Sequence, residues 1–183
     1  GMGSDQPSIL VVWEVHSDRS STRMISKGVY SPNATNSKLR NPHGALNLAA
    51  GNFVGDRLPM IVAAQGLGGE HQIRMLQYID RGGSRVLQDV GTFRGLQREA
   101  LWGNYSGGTA VAAGDVDGDG LDELVVGQMN GAGSATLFQV LNLERNGTTG
   151  QVGVADWTAP VEGMLSEHQG LGGVNLAVGD VNG

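Results

Sequence analysis

The stretch GDVDGDGLDELVVG, Gly114 to Gly127, gathers five carboxylates within nine residues and then turns apolar. Asp115, Asp117 and Asp119 alternate with Val116 and Gly118, so three carboxylates can converge on one side of a tight loop. Gly120 permits the sharp turn at the end of that run, and the backbone carbonyl of Leu121 can then point back inward. Glu123 is the natural last carboxylate, with Asp122 as its substitute. A hard cation such as Ca²⁺ takes roughly six to eight oxygens at about 2.3–2.6 Å, and this spacing can supply them. Without a cation, carboxylates so crowded would repel one another and raise each other's pKa. An acidic turn between strands draws on the same residue types. Three alternating Asp followed by Gly nevertheless point to a metal loop.

The flanks say what kind of loop it is. A helix–loop–helix calcium site needs a bidentate Glu at its twelfth position. Counting from Asp115, that place holds Val126, which cannot ligate. After Gly120 comes LDELVVG, a short run rich in β-branched residues and closed by Gly, which reads as a strand. Before the loop, GGTAVAAG from Gly107 is strand-like as well and has no helical periodicity. The segment is a strand–loop–strand cation site.

It is also one of a series. GALNLAAGNFVGDRLPMIVAA starts at Gly44, GGTAVAAGDVDGDGLDELVVG at Gly107 and GGVNLAVGDVNG at Gly172. Gly51, Gly114 and Gly179 hold the same place in each, at steps of 63 and 65 residues. The intervening segments match too: HQIRMLQYIDRGGSRVLQDVGTF from His71 has the form of SATLFQVLNLERNGTTGQVGVADW from Ser134. Each unit reads as four short strands, in the central one near Thr109–Gly114, Asp122–Gln128, Ala135–Leu143 and Gln151–Trp157. Four strands in a unit of about 40–65 residues are the signature of a propeller blade. The spacing predicts blades over 45–93 and 108–157, an outer half-blade over 8–30 and a lone inner strand over 174–179, about three blade-equivalents in all. The small-residued LAAG and AVAAG strands suit innermost positions. FRGLQREALW from Phe93, the best helical candidate, reads as a connection between blades.

These repeats resemble the FG-GAP or integrin-like β-propeller family, above all its bacterial, VCBS-type members, with the pattern GG-x-x-x-A-x-GD-x-[DN]-GDG before a short hydrophobic strand. QGLGGEHQIRMLQYID from Gln65 is similar to the Gly-rich turn and third strand of such repeats. The resemblance runs from Ile9 to Gly183 and is most specific at Asp115–Glu123. It implies an all-β propeller of four-stranded antiparallel blades, and Ca²⁺ as the cation, held by Asp115, Asp117, Asp119, Leu121 and Glu123 between the first and second strands of a blade. The other loops depart from the pattern. Asn52, Val54, Asp56, Leu58 and Met60 hold the matching positions of the first, so only two side chains there could ligate and the loop is expected to close without metal. In the third, Asp180 and Asn182 begin a site that Gly183 leaves incomplete.

Composition narrows the function. A net charge of −6 argues against nucleic acid, whose phosphates would be repelled. No run approaches the roughly 18 apolar residues of a membrane span, so membrane insertion is not expected. Cysteine is absent, which excludes thiolate metal sites and disulfides. Gly1 before Met2 looks like a tag remnant, and residues 1–7 are read as that remnant and a flexible N-terminus without a signal peptide. His16, His43, His71 and His168 are scattered and form no ligand or catalytic pair. The Trp and Tyr residues read mainly as packing between blades. The chain is therefore expected to be a calcium-stabilised binding or scaffolding module, extracellular or at the cell surface, with a protein or carbohydrate partner and no catalysis of its own. The rival is the propeller domain of a polysaccharide-degrading lyase or hydrolase. Three blade-equivalents fall short of the usual four to eight, and open strand edges recruit other chains. A head-to-tail dimer is the resulting expectation, with the 174–179 strand of one copy inside the N-terminal half-blade of the other.

Overall fold

Period-two runs bounded by Gly and polar turns become strands throughout the computed structural model, which describes residues 10–17, 22–30, 46–56, 58–66, 71–82, 84–95, 107–129, 137–158, 161–162 and 173–179. In chain order they are β1 (Leu10–Ser17), β2 (Thr22–Tyr30), β3 (Leu46–Gly51), β4 (Met60–Gln65), β5 (Gln72–Arg81) and β6 (Ser84–Arg94). Then come β7 (Thr109–Gly114), β8 (Glu123–Gln128), β9 (Leu137–Arg145), β10 (Val152–Trp157) and β11 (Val161–Glu162). No helix occurs among the described residues. The protein is all-β, as the hydrophobic pattern requires.

Two antiparallel meanders carry the architecture, in the orders β3-β4-β5-β6 and β7-β8-β9-β10. The short β11 also pairs with β9, at Val161↔Phe138 and Glu162↔Leu137, on the edge that β10 uses further along. Thr158 bridges the two: its N–H donates to the Val140 carbonyl at 2.9 Å and its hydroxyl accepts the Val140 N–H at 3.0 Å. Each meander is a four-stranded blade, and together they form part of a propeller, not a closed barrel.

The strand sequences explain how the blades stack. MIVAA in β4 has no polar face because both of its faces are covered. Met60, Val62 and Ala64 enter the main core with Ile73, Met75 and Val90 from the same blade and Val111, Leu124, Val126, Leu141, Leu143 and Val152 from the second. Ala63 points the other way and, with Leu76, packs against Leu10, while Val12, Ile61 and Leu87 border that cluster. The hairpin of β1 and β2 thus covers the opposite face of the first blade. Each large side chain fully buried in these layers contributes about 1.5–3 kcal/mol.

Register aligns the blades strand against equivalent strand: β3 lies beside β7, and β6 beside β10. Gly51, the last residue of β3, makes the inner contact possible. A Cβ there would sit 3.1 Å from the Ala113 Cβ and 2.7 Å from Asp122 Oδ2, closer than packed atoms tolerate. Gly114 repeats the arrangement one blade later, where a side chain would run into Val178. The recurring Gly of the sequence repeats marks the place where one blade meets the next.

The segment expected as a lone inner strand differs from that reading. Residues 173–179 enter no β ladder with the described strands. They keep an alternating pattern all the same, with Val174, Leu176 and Val178 half-buried and their neighbours exposed. The Val174 N–H donates to the Gln128 carbonyl at 2.9 Å, and its side chain lies over Gly127, where a Cβ would be 2.6 Å from Val174 Cγ2. Of the expected connection from Phe93, the first two residues belong to β6 and the part after Gly95 lies outside the described residues, as do residues 1–7, Asp180 and Asn182.

Candidate metal centre

The loop between β7 and β8 is shaped by its own carboxylates. Asp115 Oδ1 accepts the Gly118 N–H at 2.7 Å, and its Oδ2 accepts the Gly120 N–H at 3.0 Å. Asp117 Oδ1 takes the Asp119 N–H at 3.1 Å, and Asp119 Oδ1 takes the Leu121 N–H at 2.8 Å. Each Asp thus closes a local turn onto a downstream amide, the habit that makes Asp a turn residue. Gly118 and Gly120 adopt φ of 81° and 90°, a left-handed backbone that favours glycine, so the tight path depends on both.

Three of the expected ligands converge. Asp115, Asp117 and Glu123 each present an oxygen, and these oxygens lie within 4.8 Å of one another. Asp119 is not among the three; its carboxylate is turned to the Leu121 amide. Leu121 is half-buried and its side chain faces the first blade, since a Cβ on Gly55 would be 3.7 Å from Leu121 Cδ2. Glu123 is the buried member, 4 % exposed, while Asp115 and Asp117 face solvent. Its Oε2 accepts the Val116 N–H at 2.8 Å.

Burial pushes the Glu123 carboxyl above its usual pKa. The Val116 N–H opposes that rise, and the negative charges of Asp117, Asp119 and Asp115 add to it. A buried carboxylate facing three others is costly to ionise unless positive charge enters among them. The donor set is all oxygen, anionic and partly buried, which fits a hard divalent cation and suits neither a soft metal nor a thiolate site.

Asp122, the substitute ligand, takes another task. Its Oδ2 accepts the Asn52 N–H at 2.6 Å, and its own N–H donates to the Asn52 carbonyl at 3.0 Å. It is a clasp on the first blade.

The loop between β3 and β4 has the same frame with different chemistry. Met60 is 1 % exposed in the main core and Val54 packs against that core, so neither position offers an oxygen. Asp56 forms an ion pair with Arg145 Nη2, from the end of β9 in the second blade. It also accepts the Gln77 Nε2–H at 2.8 Å, and Gln77 Oε1 accepts from Arg145 Nη2 at 3.0 Å. Gln77 Nε2 reaches the Leu58 carbonyl as well, at 3.1 Å. Sequence reasoning missed Arg145: it lies 89 residues from Asp56, with nothing in the local spacing to link them.

Comparison with known proteins identifies one segment. Residues 107–138 match the FG-GAP repeat, a span that runs from the entry of β7 through the acidic loop and β8 to the start of β9. No curated protein and no solved structure matches the chain. The acidic loop and the two strands that frame it match an FG-GAP repeat, a repeat typical of extracellular domains.

Proposed function

We propose that the chain is a calcium-stabilised, extracellular or cell-surface binding module that holds a protein or glycan ligand and performs no catalysis. The convergence of Asp115, Asp117 and buried Glu123 at the head of an FG-GAP repeat carries this reading. Asp115, Asp117 and Glu123 would hold the ion directly, with Asp119 and the Leu121 carbonyl completing the oxygen shell. Bound there, Ca²⁺ supplies positive charge and cross-links the loop. Among the described residues no helix is long and apolar enough to cross a membrane. Trp13 and Trp157, 50 % and 44 % exposed, are available for contact with a partner or a sugar ring.

Affinity is expected in the weak range of extracellular modules, about 10⁻⁴–10⁻³ M. Isothermal titration with Ca²⁺, and with Mg²⁺ for contrast, tests the metal; absence of Ca²⁺ heat rejects it. Glycan-array binding set against polysaccharide turnover tests the rest, and turnover by the purified chain would end the non-catalytic reading. Self-association into a dimer belongs to the same proposal and is supported by Trp13 and Met24, half-exposed on the N-terminal hairpin. Light scattering should give twice the chain mass, and a stable monomer at micromolar concentration would reject the dimer.

A further inference from the structure

We infer that cation binding by the Asp115–Glu123 loop is coupled to the docking of the two blades on each other, and that Leu121 and Asp122 carry the coupling. The inference rests on the metal reading of that loop and adds a regulatory consequence to it. Gly120, Leu121 and Asp122 fill the interval between Asp119 and Glu123, so the loop cannot be ordered around an ion without fixing Leu121 and Asp122. Both face the first blade. Asp122 clasps Asn52 through two hydrogen bonds, of 2.6 and 3.0 Å, one through its side chain and one through its backbone. Leu121 lies over Gly55, and Gly51 leaves the space into which Asp122 fits.

One peptide segment therefore serves two sites. Drawing Asp115, Asp117 and Glu123 together holds the clasp in place, and a formed clasp holds Glu123 ready at the mouth of the loop. By linkage the effect runs equally in both directions: a loosened blade joint must weaken the ion, and the ion must tighten the joint. The ion thereby orders the first-blade loop Gly51–Asp56, which supplies none of the expected ligands.

Calcium titration of the full chain and of Gly51→Ala tests this. The substitution changes no charge and touches no ligand, but its methyl group would displace Asp122 Oδ2. Affinity for Ca²⁺ should fall by about fivefold or more, the lower end of typical coupling between sites. In the unaltered chain, Ca²⁺ should also slow hydrogen exchange at the Asn52 amide and across residues 51–56. An unchanged affinity in folded Gly51→Ala, or protection confined to residues 114–128, would overturn the coupling while leaving the metal site standing. No calcium heat from the unaltered chain would overturn the metal reading itself. Should Gly51→Ala fail to fold, the exchange measurement on the unaltered chain decides: protection that reaches 51–56 supports the coupling, and protection that stops at Gly114 rejects it.

Discussion

The loops after β3 and β7 share a backbone frame and are closed by opposite means. In both, a six-residue inner strand ends in Gly and the next strand returns in register, Gly51 opposite Met60 and Gly114 opposite Glu123. The first loop keeps a single carboxylate, Asp56, and neutralises it with the guanidinium of Arg145 from the neighbouring blade. The second gathers Asp115, Asp117 and Glu123, whose hydrogen-bond partners are backbone amides. On the proposed reading, a cation taken from solution would do for the second loop what a guanidinium brought by the fold does for the first. Which of the two a blade uses depends on whether its second strand opens with a core residue or with a buried acid.

Converting one loop toward the other should produce the largest effect. Met60→Glu places an acid where the first blade has core, and should cost about 3 kcal/mol or more, because position 60 is buried among apolar side chains and Asp56 already takes up Arg145 and Gln77. Urea unfolding measures the loss. Full recovery on adding Ca²⁺ would show that the two loops are interchangeable and would break the comparison.

Next in size is the response of the second loop to its ion. With Ca²⁺ at about a hundredfold excess over its Kd, mass action should add about 2.7 kcal/mol. In a chain of this size that corresponds to a rise in Tm of roughly 5–10 °C. Scanning calorimetry in EDTA and in Ca²⁺ should show the rise in the unaltered chain and lose it in Asp117→Ala. In EDTA that variant should be no less stable, since an exposed member of a repelling cluster has been removed.

Arg145→Met should behave in the opposite sense. Its loss of about 1–2 kcal/mol, the worth of half-exposed hydrogen bonds to a charged group, should appear already in EDTA. A loss seen only in the presence of Ca²⁺ would mean that the guanidinium does not close the first loop.

The smallest expected effect is on pH dependence. The Glu123 pKa is raised in the folded, metal-free chain above the usual 4.5. Whatever stability this group lends is therefore complete below that ordinary value and declines as pH rises through the raised one. Denaturant melts in EDTA at stepped pH should show the decline, and Glu123→Gln should remove it. Saturating Ca²⁺ should reverse its direction, because the ion binds the ionised form.

The limits of sequence reading fall within this same pair of loops. The gathering of carboxylates was legible because they lie within nine residues, where chain geometry alone restricts how they can meet. The different chemistry of the first loop was legible from Val54 and Met60, which carry no oxygen side chains. Asp122 was misjudged as a spare ligand because its proximity to the loop was visible and the Asn52 backbone, 70 residues away, was not. The 174–179 segment shows the same limit: its alternation is written in the sequence, but a ladder needs a partner strand that sequence alone cannot place.

The sequence by itself determined the all-β character, the repeat of strand and loop, the Gly at each blade joint and the local gathering of carboxylates. All of these arise from periodicity, turn chemistry and short-range spacing. Tertiary structure alone decided that Asp56 meets Arg145, that Asp122 faces the first blade, and that Glu123 is the buried member of its cluster. Contacts of that kind depend on how two twisted sheets stack, and stacking is fixed by the summed fit of many apolar side chains, which no single stretch of sequence contains.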